Sequence, residues 1–364
     1  AVAQAVSLSP GSLTGCATEQ IVPPAVAQAV SLSPGSLTGC ATGHIILSVM
    51  ISWRPGPLRE TLLSFVDAVT DPGDPFYVPP AGRLAVFDHD GTLWCEKPLM
   101  VHIYALLARY RQLARREPLG LSRRALRAVF ANDHSDFDNV FQRSEWAEIL
   151  GDLAGVPFSA MSDVDFDAWV RHWAGRWRHP RFGVGVRGLV YRPMVELLHL
   201  LQAREFTVAI TTADEAAFVR VLSAELYGVA PGRVLGSNFV PQGSRLDPSL
   251  LLRGYHPDFF HDGEDKPRCI ERELGQRPLL AAGNSDGDLA LLRWTAEGQG
   301  ARLPLVVRHT DAAREYAYDR RAGRLLAEAA ARGWPVVDMA RDWGTVLGEG
   351  EGTGSRGQGL GEAR

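Results

Sequence analysis

The chain has 364 residues, of which 46% are hydrophobic, 22% charged and 9% aromatic. This is the composition of a globular protein of about two domains, and it excludes a collagen-like chain, a fully disordered chain and a scaffold held by many disulfides. The net charge of −4 gives no strong field for nucleic acid or an anionic membrane, and no apolar run approaches the ~20 residues that span a bilayer.

The first part of the chain contains a perfect repeat. Residues 1–18 recur without change at 25–42, and two copies are too few for a repeat architecture, which needs about three units. We expect residues 1–49 to be a disordered extension. The LTGC sequence in each copy is similar to a lipoprotein cleavage site and leaves export as an alternative location, but no basic and apolar leader precedes it.

The patterned part of the chain opens with a helix and a strand. Apolar spacing predicts an amphipathic helix over 57–69, and RLAVFDHDG predicts a short strand that stops at its Asp and Gly residues. Residues 98–205 carry apolar residues three and four apart, which indicates mostly helices, the last of them after Pro193. We expect this block to form an all-helical domain.

Strands and helices alternate after residue 205. The predicted strands are FTVAIT, RVLGSNF, LLAAG, LPLVVRH and PVVDM, and the predicted helices are EAAFVRVLSAELYG, DLALLRWTAEG and AAREYAYDRRAGRLLAEAAARG. Such alternation predicts an α/β fold with a Rossmann-like parallel sheet covered on both faces. The expected core comprises residues 50–97 and 206–347, interrupted by the helical block 98–205, and residues 348–364 are expected to be a glycine-rich disordered tail.

Nearly all basic residues are arginines. Among the 38 lysines and arginines, only Lys97 and Lys266 are lysines. A planar guanidinium does not replace a compact ammonium, so the two lysines are candidates for specific roles. The four cysteines show no metal-binding spacing, which favours a reducing, cytoplasmic compartment.

Polar residues follow the apolar strands where a parallel sheet binds its ligands, at the carboxyl ends of the strands. The first strand ends in DHDGT, residues 88–92, the second in Thr211 and Thr212, and a later strand in GNSDGD, residues 283–288. Lys266 stands just before a predicted helix. We expect carboxylates, a hydroxyl and an ammonium to meet at one edge of the sheet.

Such a set suits phosphoryl transfer. One carboxylate can be the nucleophile and a second can protonate the leaving oxygen, while Mg²⁺ prefers oxygen ligands. Thr212 at a helix N-terminus would bind phosphate oxygens through its hydroxyl and backbone N–H. Lys266 would neutralise charge between nucleophile and phosphate.

The motif LAVFDHDGTLW resembles the first motif of the haloacid dehalogenase-type hydrolases, in the DxDGT form of their phosphatases. Thr212, Lys266 and GNSDGD follow in the order of that family's other three motifs, and the resemblance covers roughly residues 50–345. The separation of 124 residues between Asp88 and Thr212 is similar to that in the phosphoserine phosphatase-like branch, which carries a helical C1-type cap.

The resemblance implies a role for each matching residue. Asp88 would be the nucleophile that forms an aspartyl-phosphate, and Asp90 the general acid and then the general base. The phosphate-binding residues would be Gly91, Thr92, Thr212, Ala213 and Lys266. The ligands of Mg²⁺ would be Asp88, Asp90, Asn284 and Asp288, with Asp286 as a further candidate.

Two positions depart from that pattern. Thr212-Ala213-Asp214 stands where this branch has Ser-Gly-Gly, which keeps the hydroxyl but adds bulk and a negative charge. Asn284 stands where the family has Asp, and its amide oxygen can still bind an ion. We expect Asp214 to cap the following helix and His89 to be structural. His309 and Asp311 are expected to cap the entry of a helix, with a place in the lining of the cleft as the alternative.

The sequence therefore predicts a Mg²⁺-dependent phosphomonoester hydrolase that binds a small phosphorylated metabolite between core and cap. Neither nucleic acid nor a membrane is an expected partner, and the sequence does not determine the oligomeric state.

A phosphomutase of the same fold and a catalytically degenerate binding protein are the alternatives. A dehalogenase would not need Asp90. A serine esterase built on the GxSxG pattern at 283–287 would need a downstream acid and histidine, where only His309 follows.

Overall fold

The computed structural model describes residues 50–114, 156–244, 247, 251–254, 257–259 and 261–348. The chain divides into two units, and every described residue belongs to the second, Ser36–Arg364. The extension expected over 1–49, the helices expected within 115–155 and the tail expected after 348 lie outside the described residues.

Helices and strands alternate through most of the described chain, as the sequence predicts. The helices are α1 (Pro57–Thr70), α2 (Val101–Ala114), α3 (Asp163–Arg176), α4 (Arg192–Ala203), α5 (Ala216–Tyr227), α6 (Asp265–Leu274), α7 (Leu289–Ala296), α8 (Gly323–Arg332) and α9 (Met339–Asp342). The strands are β1 (Leu84–Asp88), β2 (Thr207–Glu215), β3 (Val234–Phe239), β4 (Gln242–Gly243), β5 (Leu251–Leu252), β6 (Pro257–Phe259), β7 (Leu280–Gly283), β8 (Leu303–Thr310), β9 (Ala317–Tyr318) and β10 (Val336–Asp338).

Eight of these strands form one sheet in the order β10-β8-β7-β1-β2-β3-β6, with β9 paired to β8. The six strands from β10 to β3 run parallel, while β6 and β9 are antiparallel additions. Strands β4 and β5 pair with each other in a separate small sheet. The predicted α/β fold with a Rossmann-like parallel sheet is therefore confirmed, and the two antiparallel strands are features that the apolar pattern did not reveal.

Strand β1 lies at the centre of the sheet, and all five of its residues are buried. Ala85 and Phe87 belong to one apolar core, whereas Leu84 and Val86 belong to a second core on the other face. A strand that is covered on both faces has no polar side, which explains its continuous run of apolar residues. The chain can turn polar only where β1 ends, at Asp88.

Helices flank both faces of the sheet. The larger core includes apolar residues of α1 to α5, and the smaller core includes those of α6, α7 and α8. Helix α4 packs against β2. The described part of the block 98–205 is helical, as expected, and its separation as a cap domain stays a prediction.

Helix α5 shows how local sequence sets a boundary. It ends at Gly228, whose φ of 65° is a left-handed conformation that glycine adopts without strain. It begins at Ala216 and follows Glu215 without a side-chain cap. The expectation that Asp214 caps this helix is therefore wrong, because the Asp214 side chain faces His102 instead.

The helix predicted over AAREYAYDRRAGRLLAEAAARG is wrong in its first half. Only Gly323–Arg332 is helical, and Ala317–Tyr318 form β9. The ring of Tyr318 stacks on that of His309, its partner in the antiparallel register, with centroids 4.2 Å apart. Cross-strand aromatic packing and main-chain pairing with β8 thus replace the helical conformation that local spacing favours.

In the part of the chain that the structure describes, no helix combines the length and apolar character that a bilayer crossing requires.

Asp286 caps helix α8 from a distant part of the chain, since its Oδ1 accepts a hydrogen bond of 2.8 Å from the Leu325 N–H. We expect Asp286→Ala to lower the free energy of unfolding by ~1 kcal/mol, because the helix loses this acceptor. Asp286→Asn keeps an acceptor oxygen and serves as the matched control. Urea denaturation of both variants tests the cap, and equal stabilities would contradict it.

Candidate active site

Three neighbouring strands bring the predicted site residues to one edge of the sheet. Strand β1 lies between β2 and β7, and Asp88 pairs in register with Thr211. Asn284 follows β7, and Lys266 lies in the first turn of α6. A cavity of about 690 Å³ opens at this edge, and its walls include Asp88, Lys266 and Asn284.

A buried ammonium connects two buried carboxylates. The Nζ of Lys266 lies 2.7 Å from Asp88 Oδ1 and 2.6 Å from Asp288 Oδ1. The exposed fractions of the three residues are 2%, 6% and 0% respectively. Burial alone would lower the pKa of Lys266, but the charges of Asp288 and Asp88 raise it above its usual value. Lys266 is therefore a permanent positive charge in this site.

The second oxygen of Asp288 is also engaged. Its Oδ2 accepts hydrogen bonds of 3.0 Å from the backbone N–H groups of Asn284 and Ser285. Asp288 therefore orients both Lys266 and the loop after β7. Both oxygens of Asp288 are therefore engaged, and Asp286 caps α8. The ion-binding roles expected of Asn284, Asp286 and Asp288 stay predictions.

The side-chain amide of Asn284 faces two oxygen atoms beside Asp88. One end of the amide lies 3.3 Å from Asp88 Oδ2 and 3.0 Å from the backbone carbonyl oxygen of Asp90, and an NH₂ group at this end would donate a hydrogen bond to both. With the amide rotated, its oxygen would face them instead, and hard cations such as Mg²⁺ take oxygen ligands of these kinds. The donor set of Asp88, Asp90 and Asn284 therefore fits a divalent cation.

This donor set does not consist of acidic side chains alone. Within the described ranges, no three His, Cys, Asp or Glu side chains cluster as metal ligands. Here one ligand would be a backbone carbonyl and another an amide oxygen, so the ion would add to a single side-chain carboxylate.

The site carries more negative than positive charge. Burial and the charge of Asp288 raise the pKa of Asp88 well above its usual value, and Lys266 opposes them only in part. A bound cation would favour the ionised form of Asp88 for the same Coulombic reason. The protonation of Asp88 and cation binding are thus expected to compete.

Asp90 is placed to hold a proton. Its Oδ1 accepts a hydrogen bond of 2.8 Å from the Trp94 indole N–H. Burial, followed by the charge of Asp214, raises the pKa of Asp90. Burial would also raise the pKa of Asp214, but His102, whose Nδ1 lies 3.4 Å away, lowers it overall. Two neighbouring carboxyl groups, one with a raised pKa and the other with a lowered pKa, are typical of acid–base catalysis.

The turn after β1 requires a glycine. Gly91 has a φ of 74°, and a Cβ there would lie 2.0 Å from Asn284 Nδ2. The next residue, Thr92, is buried, and its hydroxyl lies 3.4 Å from Asp88 Oδ2 and 3.3 Å from Asn284 Oδ1. Gly91 and Thr92 thus lie beside Asp88, but their backbone N–H groups donate to the carbonyl oxygens of Trp94 and His89, and the phosphate-binding role expected of them stays a prediction.

Thr212 and Ala213 lie at the same edge but in a different local structure from the one expected. Thr212 belongs to β2, and α5 begins only at Ala216, so the expectation of Thr212 at a helix N-terminus is wrong. Its hydroxyl oxygen accepts a bond of 3.0 Å from the Asp214 N–H, which leaves the hydroxyl proton for donation. Ala213 lines the cavity.

A second buried network supports the turn, and sequence reasoning missed it. The Nε2 of His309 lies 2.8 Å from the Gly91 carbonyl oxygen, and its Nδ1 lies 3.3 Å from Glu315 Oε2. Tyr191 donates a hydrogen bond of 3.1 Å to the other oxygen of Glu315. His309 therefore supports the turn and caps no helix, which corrects the expectation, and it lines the cavity, as the alternative had it. An acid six residues after a strand histidine was the available signal.

His89 has the structural place that was expected. Its Nε2 lies 3.0 Å from the Tyr227 hydroxyl, and its ring packs against Trp94 with centroids 4.3 Å apart. His261 was not singled out by the sequence but lines the cavity beside Thr211. Burial and the charge of Lys266 lower the pKa of His261 to about 3, so the ring is neutral.

Several solved structures resemble the chain. A protein with unknown function from Bordetella pertussis Tohama I is 21% identical, with 71% of this chain and 99% of that chain covered and a TM-score of 0.44. A conserved functionally unknown protein from Anaerococcus prevotii DSM 20548 is 14% identical, with coverages of 77% and 91% and a TM-score of 0.51. At these identities the likeness concerns the fold alone.

Sequence comparison defines the family. A search of curated protein sequences finds no match. The family model described as haloacid dehalogenase-like hydrolase matches residues 85–293, which is more than half of the chain and includes the buried lysine and both flanking carboxylates. The chain belongs to the haloacid dehalogenase-like hydrolases, as its motifs indicate.

Proposed function

We propose that the chain is a Mg²⁺-dependent phosphomonoester hydrolase that acts on a small phosphorylated metabolite through an aspartyl-phosphate on Asp88. The observation that carries the proposal is the Asp88 carboxylate at the wall of the cavity, with a buried lysine 2.7 Å from one oxygen and the Asn284 amide beside the other. Membership in a hydrolase family supports a transfer to water.

The first half of the reaction uses Asp88 and Asp90. The Asp88 carboxylate attacks phosphorus, the bond between phosphorus and the ester oxygen breaks, and Asp90 donates its proton to the departing oxygen. The raised pKa of Asp90 supports this assignment, because the group must enter the step protonated. Trp94 holds the carboxyl group of Asp90 in place.

The second half regenerates the enzyme. Asp90, now ionised, takes a proton from water, the oxygen of that water attacks phosphorus, and the bond between phosphorus and Asp88 breaks. Lys266 stays charged throughout and offsets the negative charge of Asp88 and the phosphoryl oxygens. Thr212 and the backbone N–H group of Ala213 are proposed as phosphate donors, whereas the N–H groups of Gly91 and Thr92 already donate to the carbonyl oxygens of Trp94 and His89.

The residues that would hold Mg²⁺ are Asp88, the carbonyl of Asp90 and Asn284. When bound, the ion supplies positive charge for the phosphoryl oxygens next to a carboxylate nucleophile. Asp288 has an indirect role: its ion pair holds Lys266, and its hydrogen bond to the Asn284 N–H holds the loop after β7.

Replacement of the nucleophile tests the proposal. We expect Asp88→Asn to lower the release of p-nitrophenol from p-nitrophenyl phosphate by about 10³-fold or more, because an amide is a poor nucleophile. Asp265→Asn alters an exposed carboxylate in the first turn of α6 and is the matched control. A wild-type rate in folded Asp88→Asn would sink the assignment, and phosphate moved to a sugar but not to water would favour the phosphomutase.

Metal dependence distinguishes the roles of Asn284 and Asp288. We expect EDTA to abolish activity and Mg²⁺ to restore it. Asn284→Ala should raise the Mg²⁺ concentration for half-maximal activity at least about tenfold, because it removes a ligand. Asp288→Asn should lower kcat with a smaller change in that concentration, because it disturbs Lys266 first. Equal shifts in both variants would contradict this division of roles.

A further inference from the structure

Both lysines of the chain line the same cavity. All the remaining residues among the 38 lysines and arginines are arginines. Lys97 and Lys266 nevertheless both line one cavity, whose lining comprises less than a tenth of the chain. Lys266 is committed to its two carboxylates. The placement of Lys97 therefore indicates a second site where a compact ammonium, and not a guanidinium, is needed.

The backbone of Lys97 is held by a buried histidine. The Nδ1 of His179 accepts hydrogen bonds of 3.2 Å from the N–H groups of Arg181 and Phe182, so its Nε2 carries the proton. That Nε2 donates a bond of 2.6 Å to the Lys97 carbonyl oxygen. His179 is 2% exposed, and burial lowers its pKa, which keeps this arrangement neutral. The fold thus fixes the point from which the Lys97 side chain starts.

The side chain of Lys97 lies on a wall of the cavity with a basic character. Its ammonium lies 5.0 Å from the centroid of the Tyr318 ring, a cation–π contact that orients it. Three arginines line the same cavity: Arg308, Arg320 and Arg321. We call these four residues the basic wall. Acids also line this cavity: Asp319 pairs with Arg308 at 3.6 Å, and Glu96 and Asp262 are part of the lining.

The other charged groups of the cavity have partners of their own. Asp214 and Glu215 follow Thr212 on β2 and are buried, Asp214 beside His102 and Glu215 in an ion pair with Arg253. Lys266 is held between its two carboxylates. Apart from Lys266, every lysine and arginine of the cavity lining belongs to the basic wall, so a second negative group on a substrate would be attracted to that wall.

We propose that Lys97 binds a second anionic group, a carboxylate or a phosphate, on the alcohol portion of the substrate. This inference rests on the proposed function, in which the first phosphoryl group sits at Asp88 and Lys266. An ammonium with three rotatable donors suits either oxyanion in a confined space. Lys97 is therefore a specificity residue, and its loss should affect anionic leaving groups and spare neutral ones.

Matched substrate pairs test the inference. The carboxylate arm compares 3-phosphoglycerate with glycerol 3-phosphate, and the phosphate arm compares fructose 1,6-bisphosphate with fructose 6-phosphate. The wild-type enzyme should prefer the more anionic member of at least one pair, and the arm that shows the preference identifies the group. p-Nitrophenyl phosphate, which has no second anion, reports the basal activity.

Variants of Lys97 test whether this residue causes the preference for the more anionic substrate. We expect Lys97→Gln to lower kcat/KM for the preferred anionic substrate by about 10- to 100-fold, chiefly through KM, because a charged hydrogen bond is lost. The neutral partner and p-nitrophenyl phosphate should change less than about threefold. Lys97→Arg should restore only part of the loss, and Arg268→Gln, at an exposed site outside the cavity, is the control.

The outcomes separate this inference from the proposed function. If no ester releases phosphate, p-nitrophenyl phosphate included, both fail. If esters are hydrolysed without any preference for the anionic members, the inference alone is overturned, whatever the variants do. Equal losses of neutral and anionic substrates in Lys97→Gln, with an unchanged thermal midpoint, would also overturn it.

Discussion

The ion pairs of Lys266 with Asp88 and Asp288 are the contacts on which the rest of the site depends. They join three segments, the end of β1, the start of α6 and the turn after β7, and all three charged residues are buried. Two carboxylates at this depth would repel strongly without the ammonium, and loss of one partner of a buried pair leaves an uncompensated charge. The same contacts orient Asp88, the proposed nucleophile, so both the stability of the site and its proposed chemistry depend on them.

Charge balance explains the remaining chemistry. One lysine does not neutralise the carboxylates around it, and the oxygens of Asp88, Asp90 and Asn284 are the proposed ligands of a divalent cation. Beyond that centre the cavity lining includes the buried acids Asp214 and Glu215 and the four residues of the basic wall. A phosphorylated substrate with a second anion would have one favoured orientation in this field, with its leaving group next to Asp90.

Much of the site follows from the sequence because parallel strands align their carboxyl ends. Asp88, Thr212 and Asn284 could be placed together from that rule, and the positions of Gly91 and Lys266 agreed with it. The partners of Asp288 could not be predicted, since a carboxylate beside both a lysine and a metal site is a plausible ligand of either. His309, Glu315 and β9 were missed because pairing across the sheet overrode a local helical pattern.

The central claim is that Asp88 carries the phosphoryl group during turnover. The most direct measurement is mass spectrometry of enzyme quenched in acid during steady-state hydrolysis, followed by digestion and sequencing of the peptide that contains β1. The account predicts that Asp88 gains the mass of one phosphoryl group, and that Asp88→Asn gains none. Phosphate attached to another residue, or turnover with Asp88 never modified under conditions that preserve acyl phosphates, would contradict it.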